Sequence, residues 1–313
     1  MRILFAGTSE IAVLSLEKIA ASFEPVGVLT SPDKKRGRGK KLSYSPVKEK
    51  ALELGLEVLQ PDTLRAEARE RISLLEPDLL AVFAYGKIFG PKFLSLFPLG
   101  GINVHPSLLP RYRGSAPIAA ALVNGDTETG VSIQKIALEV DTGDVLGQER
   151  VPLYGDETAG SLTEGMAHKG AELLVRVIDN IGRGTSAAVK QNEADATICR
   201  KMTKKDGLIN WKLPADMIER MVRAYNPWPT AYTFHEGKRV TLRRSRLVSN
   251  THTPEGAPGT VVGVDREEGI LVQTGRGLLG ITELQPEGKK PQEWNNFLNG
   301  HKSFLKAQLG DNV

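Results

Sequence analysis

The stretch RILFAGTSEIAVLSLEKIAASFEPVGVL, residues 2–29, carries the pattern from which the fold of the first half of the chain can be predicted. It opens with an apolar run that a glycine ends, and Thr8 or Ser9 can cap a helix over residues 10–22. The apolar residues of that helix recur at helical spacing. Residues 25–29 form a second apolar run. A strand, a helix and a strand of this length predict two parallel strands joined by a right-handed crossover.

The same alternation of apolar strands and helices continues along the chain. It predicts a doubly wound, mostly parallel, Rossmann-like α/β sheet. The residues after the first strand read G-T-S rather than G-x-G-x-x-G, so we expect neither NAD nor FAD. The further elements predicted are helices over residues 46–54, 64–75 and 118–123 and strands over residues 78–84, 101–105 and 130–136.

The pattern of alternating strands and helices ends after a long predicted helix over residues 161–181. Later, short β-rich runs alternate with turn residues, a pattern typical of a small antiparallel barrel. We predict a catalytic α/β domain over residues 1–185, a linker over 186–206 and an OB-like C-terminal β-barrel domain over 207–313. The elements predicted in the last part are helices over 214–223 and 294–305 and strands over 231–234, 239–246, 259–264, 269–274 and 278–284.

The composition is that of an ordinary soluble globular protein, with 40% hydrophobic and 25% charged residues. No stretch is long and apolar enough to predict an export signal or a membrane span. Because Cys199 is the single cysteine, an internal disulfide and a cysteine zinc cluster are excluded. We therefore expect a cytoplasmic location, and we expect a monomer.

Basic residues are clustered, although the net charge is only +4. KKRGRGKK, residues 34–41, has six basic residues and no acid. RKMTKK, residues 200–205, and KRVTLRRSR, residues 238–246, also lack acids. An ordinary solvated surface would interleave acidic residues, so these clusters favour a polyanionic partner such as a nucleic acid.

Two polar residues lie two positions apart at the end of a predicted strand. Asn103 and His105 therefore point to one face, at the carboxyl edge where open α/β sheets bind ligands. The stretch DTGD supplies Asp141 and Asp144 after the 130–136 strand, which we expect to end at the same edge. Taken alone, Asn103 and His105 could be hydrogen-bonded polar residues at a strand end, and DTGD could be an ordinary turn. Together, an amide, an imidazole and a carboxylate can stabilise an oxyanion and move a proton, which favours direct acyl transfer between amines without a metal.

The stretches INVHPSLLPRYRGSAPI and DTGD, residues 102–118 and 141–144, resemble the folate-dependent formyltransferases. The resemblance implies 10-formyltetrahydrofolate as the formyl donor and Asn103, His105 and Asp141 as catalytic residues. It also implies a pocket for the folate, formed by a folate-binding loop and by a second segment that forms one wall. The residues that it assigns to folate binding are Ser107, Leu108, Leu109 and Pro110 in the loop and Phe83, Tyr85 and Gly86 in the wall, within VFAYG.

Three further stretches resemble the members of this family that act on methionyl initiator tRNA. Residues 31–48, SPDKKRGRGKKLSYSPVK, resemble the basic loop that contacts the acceptor end of that tRNA, although Lys35 and Arg36 stand where Pro-Ala is frequent. Residues 225–233 (YNPWPTAYT) and 284–301 (LQPEGKKPQEWNNFLNGH) resemble the C-terminal barrel of those members. The residues expected to bind tRNA are Lys34, Lys35, Arg36, Arg38, Lys40, Lys41, Lys204, Lys205, Arg243 and Arg244.

Two other functions stay open. Formyltransferases that modify an amino sugar nucleotide share the catalytic residues and a barrel-like C-terminal domain, but such an acceptor gives no reason for a strongly basic loop. An RNA-binding protein with an inactive α/β domain would need the basic clusters but not the set of Asn103, His105 and Asp141. The sequence therefore favours formyl transfer to methionyl initiator tRNA.

Overall fold

The computed structural model describes residues 1–36, 41–248 and 256–310. The chain divides into two compact units. Among the described residues, no helix is both long enough and apolar enough to cross a membrane. The first unit comprises Met1–Pro117, Glu128–Pro152 and Thr163–Cys199, and the second comprises Ile118–Thr127, Leu153–Leu162 and Arg200–Val313.

A seven-stranded sheet forms the centre of the first unit. The strands of this unit are β1 (Arg2–Gly7), β2 (Glu24–Leu29), β3 (Lys34–Arg36), β4 (Lys41–Ser43), β5 (Val58–Leu59), β6 (Leu79–Phe83), β7 (Gly101–His105), β8 (Arg113–Gly114), β9 (Glu128–Lys135), β10 (Val145–Pro152) and β11 (Ile198–Cys199). The order in the sheet is β10-β9-β7-β6-β1-β2-β5. The pairs from β5 to β7 are parallel, whereas β9 is antiparallel to β7 and β10 is antiparallel to β9. The predicted mostly parallel sheet is confirmed.

Helices alternate with these strands along the chain, and three of them begin with Pro at a position that needs no backbone donor. In the second of the helices, the Ser45 hydroxyl caps the first turn by accepting from the Lys48 amide at 3.0 Å. The helices are α1 (Val13–Ser22), α2 (Pro46–Glu53), α3 (Ala66–Ser73), α4 (Pro91–Leu94), α5 (Pro117–Asn124) and α6 (Ala159–Gly182), with short 3₁₀ helices at Glu10–Ala12 and Glu193–Asp195.

Both faces of the central strands are buried, which explains why β1 and β6 read as continuous apolar runs. On one face, Leu4 and Val82 belong to a core that also contains Tyr85. On the other face, Phe83 and Val104 pack beside Gly170 of α6. Alternation along each strand thus fixes which side chains can share a site.

The second unit is built on an antiparallel sheet, as predicted, and the sheet has six strands where five were expected. Its main order is β12-β13-β16-β15-β14, and β17 pairs with β16. Backbone bridges join Phe234 to Gly310 and Thr260 to Gln308, so the end of the described chain bonds to both edges and closes a small barrel. The elements are β12 (Ala231–His235), β13 (Lys238–Leu247), β14 (Val261–Asp265), β15 (Gly269–Gln273), β16 (Leu278–Pro286), β17 (Gln292–Glu293), α7 (Ala215–Ala224) and α8 (Trp294–Gly300), with 3₁₀ helices at Lys204–Gly207 and Lys302–Phe304.

Candidate active site

A row of polar side chains crosses one face of the sheet where β7, β9 and β10 lie side by side. Asn103 stands opposite Gln134, and His105 stands opposite Ser132, which in turn stands opposite Gln148. Residues directly opposite one another in antiparallel strands point to the same face. These five side chains therefore lie on one surface of an otherwise apolar sheet.

His105 lies between a carboxylate and a backbone carbonyl, and only 4% of its surface is exposed. Its Nε2 lies 2.8 Å from the carbonyl oxygen of Tyr112. Because a carbonyl can only accept, Nε2 carries a proton and donates it there. Its Nδ1 lies 3.5 Å from Oδ2 of Asp141, which is longer than a strong hydrogen bond. Nδ1 is therefore the ring nitrogen that can exchange a proton or turn towards a ligand.

Both carboxylate oxygens of Asp141 are held by the protein. Gln134 donates to Oδ1 at 2.7 Å, and the backbone amide of Gly114 donates to Oδ2 at 2.8 Å. The Asp141 backbone has a φ of 57°, in the left-handed region that costs most residues energy. Two residues later, a Cβ on Gly143 would lie 1.8 Å from the Lys135 carbonyl, so the loop approaches the sheet too closely for any side chain.

Asp141 reaches this site by a route that the sequence argument did not foresee. Because β9 is antiparallel to β7, its last residue, Lys135, pairs with Ile102 at the start of β7. The expectation that the DTGD stretch follows β9 at the same sheet edge as His105 is therefore wrong. Instead, the loop after β9 returns over the sheet face, where Asp141 contacts Gln134 and lies beside His105.

The Asn103 side chain is half-buried on this face. Its amide makes no hydrogen bond to another described residue, whereas the amide of the neighbouring Gln134 donates to Asp141. The Asn103 amide and the nearby Nδ1 of His105 can therefore both donate to one ligand oxygen and stabilise negative charge on it.

Models of two protein families match this chain. The model described as "Formyl transferase" matches residues 1–178, and the model described as "Formyl transferase, C-terminal domain" matches residues 201–302. The chain belongs to the formyl transferase family. The family that the sequence predicted is thereby confirmed.

Relatives similar to this family member along nearly their whole length carry the name methionyl-tRNA formyltransferase. The protein from Treponema denticola is 44% identical over 98% of this chain and 99% of its own length. The protein from Roseiflexus sp. is 41% identical over 99% of this chain and 96% of its own length.

Solved structures of other proteins share the fold at lower identity. The N-formyltransferase from Helicobacter canadensis, solved with folinic acid and dTDP-3-aminofucose, has a TM-score of 0.65 and 22% identity over 89% of this chain and 98% of that one. A variant of HypX from Aquifex aeolicus has a TM-score of 0.64 and 19% identity over all of this chain, which spans about half (51%) of that protein.

The loop after β7 in this family member is tied to the neighbouring strands. The Ser132 hydroxyl donates to the carbonyl of Ser107 at 2.6 Å and accepts from the amide of Leu109 at 3.1 Å. Gln148 donates to the Leu109 carbonyl at 2.7 Å. The Ser107 hydroxyl is itself occupied, since it donates to the Arg111 carbonyl at 2.6 Å. The loop is thus held rigid by the same polar row that carries His105.

Most side chains predicted to bind folate are packed into the protein. Phe83 is buried against α6, on the opposite face of the sheet from His105. Tyr85 is 3% exposed and belongs to the apolar core, and burial raises the pKa of its hydroxyl to about 12. Leu109 is also buried, whereas Gly86 is exposed with a φ of 83°. At most of these positions only backbone atoms can contact a ligand. The role of these residues in folate binding stays a prediction.

Two of the remaining predicted folate residues sit nearer the surface of the unit. The Leu108 side chain packs over Gly130, where a Cβ would lie 2.5 Å from it. The carbonyl of Pro110 accepts from the Thr197 amide at 3.2 Å.

A set of hydrogen-bonded polar side chains behind Asp141 was not predicted from the sequence. Gln191 and Arg113 are each 7% exposed. Arg113 donates to Gln191 and forms a two-bonded ion pair with Glu193 at 2.7 and 2.8 Å. This ion pair raises the pKa of Arg113 and lowers the pKa of Glu193. No spacing rule could have found it, because Gln191 lies 50 positions from Asp141 in a segment predicted to be a linker.

The basic positions predicted to bind tRNA are distributed over both units. Arg38 and Lys40 lie outside the described residues. Lys34 is exposed. The backbones of Lys35, Arg36 and Lys41 form the hairpin of β3 and β4. In the second unit, Lys204, Lys205 and Arg244 are exposed and Arg243 is half-buried.

Polar contacts fix the chain on either side of the β3–β4 hairpin. Asp33, which precedes it, pairs with Lys48 at 2.6 Å and accepts from Gln60 at 2.8 Å. The hydrogen bond from Gln60, followed by that from Lys48, lowers the pKa of Asp33. The hairpin that carries Lys34 is therefore anchored at its base to α2 and to the residue that follows β5.

The hydrogen bond to Tyr112 predicts the tautomer of His105. At alkaline pH, where imidazoles are neutral, the proton of His105 is expected on Nε2. His301 is a control within the same protein, because its Nδ1 lies 2.9 Å from the Phe297 carbonyl and the opposite tautomer is expected there. Long-range ¹H–¹⁵N correlation spectra distinguish the two. A neutral His105 that carries its proton on Nδ1 would contradict this geometry.

Proposed function

We propose that this formyl transferase moves the formyl group of 10-formyltetrahydrofolate to the α-amino group of methionyl initiator tRNA. The observation that carries the proposal is the set of Asn103, His105 and Asp141 on one polar face, with the amide and one imidazole nitrogen left for a ligand. The names of the curated relatives that match along nearly their whole length support the acceptor. The solved relative with bound folinic acid supports the donor.

In this proposal the reaction begins when the neutral α-amine of the methionyl group attacks the formyl carbon. The formyl oxygen then becomes an oxyanion in a tetrahedral adduct. The amide of Asn103 and the Nδ1–H of a protonated His105 donate to that oxygen. Nδ1 takes this role because the Tyr112 carbonyl occupies Nε2.

Asp141 supplies the counter-charge of the protonated imidazole and helps to move one proton. The attacking nitrogen loses a proton as its new bond to carbon forms, and N10 of the folate gains one as its bond to that carbon breaks. Because Gln134 and Gly114 hold the Asp141 carboxylate, it can act through His105 or through a water without reorienting. The products are formylmethionyl-tRNA and tetrahydrofolate.

The basic residues of both units bind the tRNA in this proposal. Contacts from Lys and Arg to phosphates give affinity and orientation rather than sequence reading, and they weaken steeply with salt. The hairpin that carries Lys34 contacts the acceptor end, and the exposed Lys204, Lys205 and Arg244 contact the backbone elsewhere.

We further propose that the enzyme acts in the cytoplasm and is a monomer. Light scattering on the purified protein should then give the 34.0 kDa mass of one chain, and twice that mass would contradict the proposed monomer.

Replacing each proposed catalytic residue tests the mechanism. Asn103→Ala, His105→Ala and Asp141→Ala are each expected to lower the rate of formyl transfer by at least about 10²–10³-fold, the usual cost of removing one oxyanion donor. Single-turnover formylation measures the rate, and circular dichroism checks the fold. Glu287→Ala, at an exposed position in the second unit, is a control that should keep full activity. A folded variant with near-normal turnover would remove that residue from the mechanism.

A comparison of acceptors tests the proposed substrate. The purified enzyme should formylate methionyl initiator tRNA, and a UDP-amino sugar should react at least about 10³-fold more slowly, since it cannot use the phosphate contacts. A variant with Lys34, Lys35, Arg36 and Arg38 changed to Ala should raise KM for tRNA and leave the affinity for tetrahydrofolate unchanged. A faster reaction with the sugar would overturn the proposed acceptor. Tight tRNA binding without folate binding would favour an inactive RNA-binding protein.

A further inference from the structure

The position of Asp141 depends on a side chain that does not touch the reacting groups. Gln191 is buried, and its Nε2 donates to the carbonyl of Asp141 at 2.9 Å and to the carbonyl of Gly143 at 2.7 Å. Its Nε2 also lies 3.4 Å from Oε1 of Gln134, which donates to the Asp141 carboxylate. One amide group thus holds both ends of the turn in which Asp141 sits.

Arg113 in turn holds Gln191. Its Nε and Nη2 both donate to Oε1 of Gln191, at 3.0 and 2.9 Å, and its Nη1 and Nη2 donate to the carboxylate of Glu193. With Oε1 committed to two donors of a guanidinium, the amide nitrogen of Gln191 can face only the DTGD turn. The orientation of this amide is therefore fixed by its neighbours on both sides.

The same arginine is part of the backbone that binds the Asp141 carboxylate. The residue after Arg113 is Gly114, whose amide donates to Oδ2. A Cβ on Gly114 would lie 2.3 Å from the Cys199 carbonyl, because β8 and β11 are in direct contact there. The backbone amide of Gly114 thus binds the side chain of Asp141. The side chain of Arg113 binds Gln191, which in turn binds the backbone carbonyl of Asp141.

We propose that Gln191, oriented by Arg113, is a positioning residue that keeps the Asp141 carboxylate beside Nδ1 of His105 during formyl transfer. This inference rests on the proposed function. Asp141 has a left-handed backbone that a free turn would not favour, so contacts outside the turn must maintain it. A displacement of about 1 Å at a reacting group can cost about 10²-fold in rate. Gln191 thereby acts on the chemical step and not on substrate binding.

The variant Gln191→Glu tests this with almost no change in shape. A glutamate can still accept from Arg113, but it has no donor for the carbonyls of Asp141 and Gly143. We expect kcat to fall by about 10²-fold while KM for both substrates stays within about twofold. Gln191→Met, which also removes the acceptor, should lower kcat at least as far. Asn296→Asp is the matched control, because it makes the same amide-to-acid change at an exposed position of α8 and should keep kcat.

A double-mutant cycle with Asp141→Ala separates positioning from a general structural role. If Gln191 acts through Asp141, Gln191→Glu should cause no further loss in the Asp141→Ala background. Equal losses in both backgrounds, or an unchanged kcat in both Gln191 variants, would overturn the inference. If Asp141→Ala itself were fully active, the proposed catalytic role of Asp141 would fail instead, so the two failures are distinguishable.

Discussion

The carboxylate of Asp141 is held at both oxygens, by a side chain of β9 and by a backbone amide of the short strand β8, and the candidate site is organised around it. Gln134 and Gly114 provide these two bonds. A carboxylate fixed in this way cannot rotate to find its own partner. His105 must therefore come to it, and the Tyr112 carbonyl on the far side of the ring keeps the imidazole in that position. The two donors that face a ligand are then the Asn103 amide and Nδ1 of His105, whose contact with Asp141 is long at 3.5 Å.

The polar row on the sheet explains why such a site can exist inside an α/β core. A buried polar side chain is costly unless it is hydrogen-bonded. Ser132, Gln134 and Gln148 meet that requirement by holding the loop after β7 and the turn that carries Asp141. The side chains that would otherwise destabilise the sheet thus fix the two loops that bring the candidate catalytic groups together.

Much of the fold could be read from the sequence, because buried strands such as β1 and β6 appear as uninterrupted apolar runs. The strand β10 was missed, since its stretch VLGQERVP is half-exposed and shows no such run. The pair of Asn103 and His105 followed from strand alternation. The route to Asp141 did not, because nothing in the residues of β9 states whether it runs parallel or antiparallel to β7. Gln191 could not be predicted, since its role depends on contacts far apart in sequence.

A crystal structure with a stable formyl-folate, such as folinic acid, together with methionine amide would show whether Asn103 and His105 bind the same ligand oxygen. We expect the formyl oxygen to lie about 3 Å from the Asn103 amide nitrogen and from Nδ1 of His105, the distance at which oxyanion donors act. A formyl group bound away from these two atoms, or a ring of His105 turned to present Nε2, would contradict it.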